Sequence, residues 1–262
     1  MKKIIAIALT ALMLAAIFCG CTANTTKGKL VLGTSADYPP FEFHMLNGKG
    51  EDVIVGLDVS VAEKIAEDMG LELEIVDISF DNLLTAMDKG QCDIVIAAME
   101  KDEERDLVAD FSDPYYTDLP PMILVKKDAV DQFTGLDSFA GLTVGAQTGT
   151  TKEDIVTNDL VGAELLSLAT VNDLVNNLVY DKCSALVLDG AVAMQYADAN
   201  AELVVAEISL GDAYPYCVAV KEGDPKGLLE SINKSIAKML ADGSMEMFIS
   251  DANAMSVAAL EG

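Results

Sequence analysis

From residue 29 onward the chain alternates short apolar runs with segments whose apolar positions recur every three to four residues. Residues 30–34 form a compact apolar run that predicts a strand. Residues 58–69 place Val61, Ala62, Ile65, Ala66 and Met69 on one face, with Asp58 set to cap the start and Gly70 to stop the end, so they predict a helix. Residues 71–76 predict a strand, 80–89 a helix closed by Gly90, and 93–98 a fully buried strand. This β-α-β order implies a parallel sheet covered by helices. The middle of the chain repeats it, with strands at 122–125, 142–145, 165–168 and 185–188 and helices between them. The end reads as helix over 225–240, a break at Gly243, and helix again over 245–249. Two proline-marked stretches, 115–121 and 214–215, are suited to crossing between bodies. The expected architecture is therefore two α/β lobes joined by a two-segment hinge, with a ligand cleft between them.

The N-terminus changes that picture only by adding an address. Met1, Lys2 and Lys3 precede an apolar run over 4–18, which is shorter than the roughly 20 residues that span a bilayer. Cys21 follows Gly20, and residues 18–21 resemble a bacterial lipoprotein lipobox, with Phe18 where Leu is usual. Residues 1–20 are expected to be a signal peptide and 21–28 a lipidated Cys21 with a polar tether. The net charge of −26 makes nucleic acid an improbable partner, because such a surface repels phosphate backbones. Cys92, Cys183 and Cys217 show neither disulfide nor zinc spacing and read as small apolar residues.

One count bears on chemistry. Arg105 is the only arginine among seventeen basic residues. A guanidinium grips a carboxylate through a planar fork that lysine lacks. A surface pairing with Glu103 or Glu104 is an equally good reading of Arg105 in isolation. Its position shifts the balance, because ligands in parallel α/β sheets bind beyond the carboxyl ends of strands. There the sequence places residues 35–41, 97–100, 147–151 and Asp189. Thr150 and Glu153 have capping-box spacing, so a helix start there offers free N–H groups to an anion, and Gly149 permits close backbone approach. The same pattern also fits a plain helix cap, and Asp189 fits an N-cap for the following helix. Taken together, Arg105 with the Thr150–Thr151 turn suits a carboxylate, and Asp189 with Glu100 suits an ammonium. The expected ligand is thus a zwitterion, with Tyr38 and Phe80 available to sandwich its side chain or, alternatively, to pack in the core.

Segments 33–42, 55–58, 80–81, 103–105, 110–116, 144–151 and 188–189, spread over residues 29–249, resemble the bacterial extracellular solute-binding proteins, family 3, of polar amino-acid ABC importers. The resemblance implies a type II periplasmic-binding-protein-like fold, with lobe 1 at 29–116 plus 215–262 and lobe 2 at 117–214. It implies that Arg105 and Thr151 take the ligand's α-carboxylate, that Asp189 and the backbone near Ala98 take its α-ammonium, and that Tyr38 and Phe80 flank its side chain. It also implies a monomer that captures an amino acid, delivers it to an ABC permease, and uses no cofactor or metal. This chain carries Glu100 where the family usually has Ser or Thr. That acid, with Asp37 beside Tyr38, leans the expected ligand toward lysine or arginine, although Lys101 is at hand to neutralise Glu100. Two other readings use the same cleft. One is a lyase resembling cyclohexadienyl dehydratase, with Glu100 as general acid if burial raises its pKa. The other is a ligand-sensing lipoprotein. His44, in a polar stretch, and the lack of a Ser-His-Asp set or a Walker-type loop weigh against catalysis.

Overall fold

The computed structural model describes residues 28–260. The signal segment and Cys21 lie outside the described residues. In chain order the strands are β1 (Lys29–Thr34), β2 (Asp37–Tyr38), β3 (Glu42–Leu46), β4 (Asp52–Val55), β5 (Glu72–Asp77), β6 (Ile94–Val95), β7 (Ala109–Phe111), β8 (Tyr116–Thr117), β9 (Met122–Lys126), β10 (Thr143–Gln147), β11 (Glu164–Leu168), β12 (Ala185–Leu188), β13 (Leu203–Ala206), β14 (Pro215–Tyr216) and β15 (Ala219–Lys221). The α-helices are α1 (Leu57–Met69), α2 (Leu83–Asp88), α3 (Thr151–Asp154), α4 (Val171–Val179), α5 (Gly190–Ala199), α6 (Leu229–Asp242) and α7 (Ser244–Leu260).

Two five-stranded sheets form the two lobes, in the orders β5-β1-β6-β15-β7 and β11-β10-β12-β9-β13. Each has a parallel half, β5-β1-β6 or β11-β10-β12, as the alternation of strand and helix predicts. Each also has an antiparallel half, which the sequence pattern does not reveal. There, β15 runs against β6 and β7, and β9 runs against β12 and β13. No α-helix separates β9 from β10, only short 3-10 turns, so the expected helix there is absent. The chain passes between the lobes on β8 and β14, which pair antiparallel with Tyr116 opposite Tyr216.

The largest apolar cluster runs from Leu30, Leu32 and Ile94 of the first sheet, through Leu57, Val61 and Ile65 of α1, to Leu186 and Leu188 of the second. Tyr38, Phe41, Tyr115 and Tyr216 connect the two ends, with Phe41 and Tyr216 edge-to-face at 5.2 Å. Full burial of a side chain such as Phe41 contributes about 1.5–3 kcal/mol. The last helix, α7, runs to Leu260, well past the predicted end at 249, and touches both lobes. It packs on α1 and on α5, where Gln195 Nε2 donates to Asn253 Oδ1 at 3.0 Å.

Two local departures build the site. The first is at α1, which is capped by Gly56 rather than Asp58. Gly56 sits at φ 132°, and a Cβ there would lie 2.1 Å from the Phe41 carbonyl oxygen, so only glycine fits. Asp58 is instead buried in the first turn, where it accepts the Ala98 N–H at 2.6 Å and the Tyr115 hydroxyl at 2.7 Å. The second departure follows from the first. The apolar run 93–98 pairs in the sheet only as β6, and Ala98 turns away at φ 45° with its N–H held by Asp58. That turn carries residues 97–100 into the space between the lobes.

Candidate functional site

A small enclosed cavity lies at the carboxyl ends of the parallel strands of both sheets, where α/β proteins place ligands. Ser35, Tyr38, Glu42, Phe80, Ala97, Ala98, Glu100 and Arg105 line it from the first lobe. Gln147, Thr150, Lys152 and Asp189 line it from the second. Arg105 Nη1 donates to the Glu100 carbonyl at 2.7 Å, and Nη2 crosses the cleft to the Gly149 carbonyl at 3.0 Å. Its guanidinium lies 5.3 Å from the centre of the Phe80 ring, so the aromatic face supports the cation. Its Nε pairs with Asp102 at 3.2 Å rather than with Glu103 or Glu104.

The centre of the cavity is a buried ionic cluster. Lys152 Nζ lies 2.8 Å from Glu100 Oε1 and 2.5 Å from Asp189 Oδ1, and all three residues are under 5% exposed. Thr151 donates its hydroxyl to Glu100 Oε2 at 2.5 Å, and Tyr38 donates its own to Asp189 Oδ2 at 2.7 Å. Burial works to raise the pKa of Glu100, but the Lys152 ammonium, its hydrogen bond and that of Thr151 outweigh it and hold Glu100 below the usual range. Asp189 is pushed up by burial and by the charge of Glu100, although Lys152 opposes the shift. Burial favours neutral Lys152, but the two carboxylates outweigh it and keep the amine charged. A general acid needs a proton at rest. Glu100 is shifted the other way, so the raised value on which a general-acid role for it depends is not what its surroundings produce.

Residues 30–250 match the model of the bacterial extracellular solute-binding proteins, family 3. The chain belongs to that family. The arginine-binding extracellular protein ArtP of Bacillus subtilis is 34% identical over 86% of each chain. A probable histidine-binding protein of Campylobacter jejuni is 30% identical over 87% of this chain and 85% of its own. Among solved structures, an amino acid ABC transporter substrate-binding protein from Streptococcus pneumoniae, bound to L-arginine, superposes with a TM-score of 0.83 at 33% identity. That match covers 88% of this chain and 96% of the other. This family-3 protein is therefore an extracytoplasmic amino-acid-binding component of an ABC transport system, with the two-lobed type II fold. No helix among its described residues is long and apolar enough to cross a membrane.

Most of the residues singled out from the sequence meet in the family-3 cleft, but several do so differently from expectation. Tyr38, Phe80, Ala98, Glu100, Arg105, Thr150 and Asp189 line the cavity. Thr151 stands behind Glu100 as its hydroxyl partner. Asp37 is not among the lining residues. Its Oδ2 accepts the Val171 N–H at 2.6 Å, so this first-lobe carboxylate caps α4 of the second lobe. Burial raises its pKa to about 6. The capping box predicted at Thr150 and Glu153 is not made. Glu153 reaches back to the Gly149 N–H at 2.8 Å, whereas the Thr150 hydroxyl turns to the Gln147 carbonyl. Asp189 precedes α5 without capping it through its side chain. Asp118, in the crossing segment, accepts the Ala191 N–H instead and leaves Asp189 free for the cavity.

Lys101 pairs with Asp106 at 2.8 Å, and it is Lys152 that neutralises Glu100. Lys152 and Glu42 are the lining residues that the sequence reading missed. Nothing local marks Lys152, because a lysine in the first turn of a helix ordinarily faces water. Glu42 had one signal, an acid directly after the aromatic-proline run 38–41 that enters the cleft.

Proposed function

We propose that this chain is the ligand-capturing receptor of an importer for a polar amino acid with a cationic side chain, arginine or lysine. The observation that carries the reading is the enclosed cavity in which Arg105 and the Asp189–Glu100 pair face one another between two lobes. A zwitterion needs both signs of charge in one cleft, and several charge-assisted hydrogen bonds at about 1.5–3 kcal/mol each suffice for micromolar capture after ordering costs. In this reading Arg105 and the Thr150–Thr151 turn take the carboxylate. Asp189 and the backbone near Ala98 take the ammonium, and Tyr38 and Phe80 flank the side chain. The cationic preference rests on the lining acids. Three acids, Glu42, Glu100 and Asp189, share the cavity wall with two bases, Lys152 and Arg105, which favours a ligand that brings positive charge. L-arginine in the pneumococcal relative agrees with this.

The finer organisation belongs to the same proposal. Lobe 1 spans 29–116 and 215–262, lobe 2 spans 117–214, and a monomer is tethered to the outer face of the membrane through lipidated Cys21. Thermal-shift measurement over the common amino acids, followed by calorimetry, tests the proposal. Arginine or lysine at 100 times its dissociation constant adds about 2.7 kcal/mol of stability and raises the melting temperature. Binding of glutamine or glutamate, with both cationic amino acids inert, would refute the ligand assignment.

A further inference from the structure

Lys152 stands where the ligand's ammonium is expected. Its Nζ lies 2.8 Å from Glu100 Oε1 and 2.5 Å from Asp189 Oδ1. Asp189 Oδ2 accepts the Tyr38 hydroxyl and Glu100 Oε2 the Thr151 hydroxyl, so every oxygen of the two carboxylates is already engaged. An ε-ammonium and an α-ammonium offer an acid the same thing, three N–H donors and one positive charge. The space is used up as well. Lys152 is 4% exposed, and the cavity it lines keeps a free volume of about 10 Å³, no more than one water molecule needs. An amino acid therefore enters only as a side chain leaves. Lys152 is the group whose place the ligand fills like for like, whereas moving Glu100 or Asp189 would strip a buried ammonium of its acids, which is costly. A destination lies alongside. Glu100, Thr151 and Asp154 also wall an open recess whose other walls include Asp102, Glu103 and Asp159. Lysine's flexible four-carbon stem suits a swing from the seat to water among those acids.

We infer that Lys152 is a tethered competitor for the ammonium seat: its side chain fills the place between Glu100 and Asp189, and an amino acid binds by displacing it with its own α-ammonium. No bond is made or broken. Withdrawal of Lys152 takes one positive charge out of the cavity, and an amino acid of net charge +1 restores it. The inference rests on the receptor reading and names the residue that sets its affinity and its demand for an α-ammonium.

Calorimetry of the unaltered protein, Lys152→Met and Lys152→Gln provides the test, with L-arginine, L-glutamine and 5-guanidinopentanoic acid, which is arginine without its α-amino group. Apparent affinity is reduced by the fraction of molecules whose seat is free, so removing a competitor that is seated about nine-tenths of the time tightens binding roughly tenfold. Whichever amino acid binds is expected to gain that factor in both variants, and damage to the fold alone would not tighten binding. The guanidino acid is expected to bind the unaltered protein far more weakly than arginine. Circular dichroism checks that the variants are folded. Amino-acid affinity that is unchanged or weaker in both folded variants overturns the inference and leaves the receptor reading standing. So does a guanidino acid that binds the unaltered protein as tightly as arginine, because Lys152 then stays seated. Failure of every amino acid to bind all three proteins overturns the receptor reading, and the inference with it.

Discussion

Replacing Lys152 by Met tests the ionic centre of the cleft most directly. Met keeps the length and apolar stem of lysine and removes the ammonium that lies 2.8 Å from Glu100 and 2.5 Å from Asp189. Both carboxyls are nearly inaccessible to water, so the variant leaves two acids facing each other without a counter-ion. Removing one partner of a buried ion pair costs about 3–5 kcal/mol when the remaining charge cannot escape. Here one carboxyl can take up a proton, so the expected loss is nearer 3 kcal/mol at pH 8 and smaller in acid. The direction with pH follows from the proton count. In the unaltered protein Glu100 is held below its ordinary value of 4.5, so its contribution to stability is complete above that pH and is lost as pH falls through the lowered value. In the variant a carboxyl is raised instead, the folded state binds the extra proton, and stability rises as pH falls from 8 toward 5. Melting temperatures of both proteins at pH 5, 6, 7 and 8 measure this. For a chain of this size, 3 kcal/mol corresponds to a drop of roughly 6–12 °C at pH 8. A variant that melts within 2 °C of its parent at every pH, or whose deficit widens in acid, would refute the claim that Lys152 neutralises this pair.

Two further substitutions probe the clamp and the frame. Arg105→Lys keeps the charge but loses the planar fork whose two nitrogens reach the Glu100 and Gly149 carbonyls; amino-acid affinity is expected to fall by roughly 10- to 100-fold in calorimetry while the circular dichroism spectrum is unchanged. Gly56→Ala forces a Cβ against the Phe41 carbonyl at a positive φ, so urea denaturation is expected to show a loss of about 2–4 kcal/mol, and an unaffected protein would contradict the capping geometry of α1.

How far the sequence discloses this molecule depends on how local each cause is. The strands at 30–34 and 185–188 are legible as compact apolar runs of the kind a covered sheet demands, and the one at 71–76 through apolar residues alternating with the exposed Glu72 and Glu74; β1, β5 and β12 lie within about one residue of those spans. The run 93–98 misleads, because its composition suits a strand, yet Asp58, forty residues earlier, captures the Ala98 N–H and bends the chain out of the sheet. The small pairings β2-β3-β4 and β8-β14 escape notice for a similar reason, being too short to show a period. In the site, Arg105 is visible through its rarity. Asp37 is visible as an acid in the right loop, but its engagement with Val171 depends on how the lobes close. Lys152 is invisible altogether, since the carboxylate that explains it lies fifty-two positions away.

The bonds that cross the cleft have a consequence for how such a receptor can change. Tyr38 to Asp189, Asp37 to the start of α4, Arg105 to Gly149, and Glu100 to Thr151 and Lys152 each join one lobe to the other. In the proposed assignment most of these residues also hold the ligand. Taste and posture are therefore written in the same atoms. A substitution that admits a new amino acid also alters how firmly the empty receptor shuts, and hence how often it presents a closed face to the permease with nothing inside. A lineage that acquires a new substrate through these positions must restore its resting balance by a second change elsewhere, and the Gln195–Asn253 contact under α7, which touches both lobes without lining the cavity, is a place where that correction leaves recognition untouched.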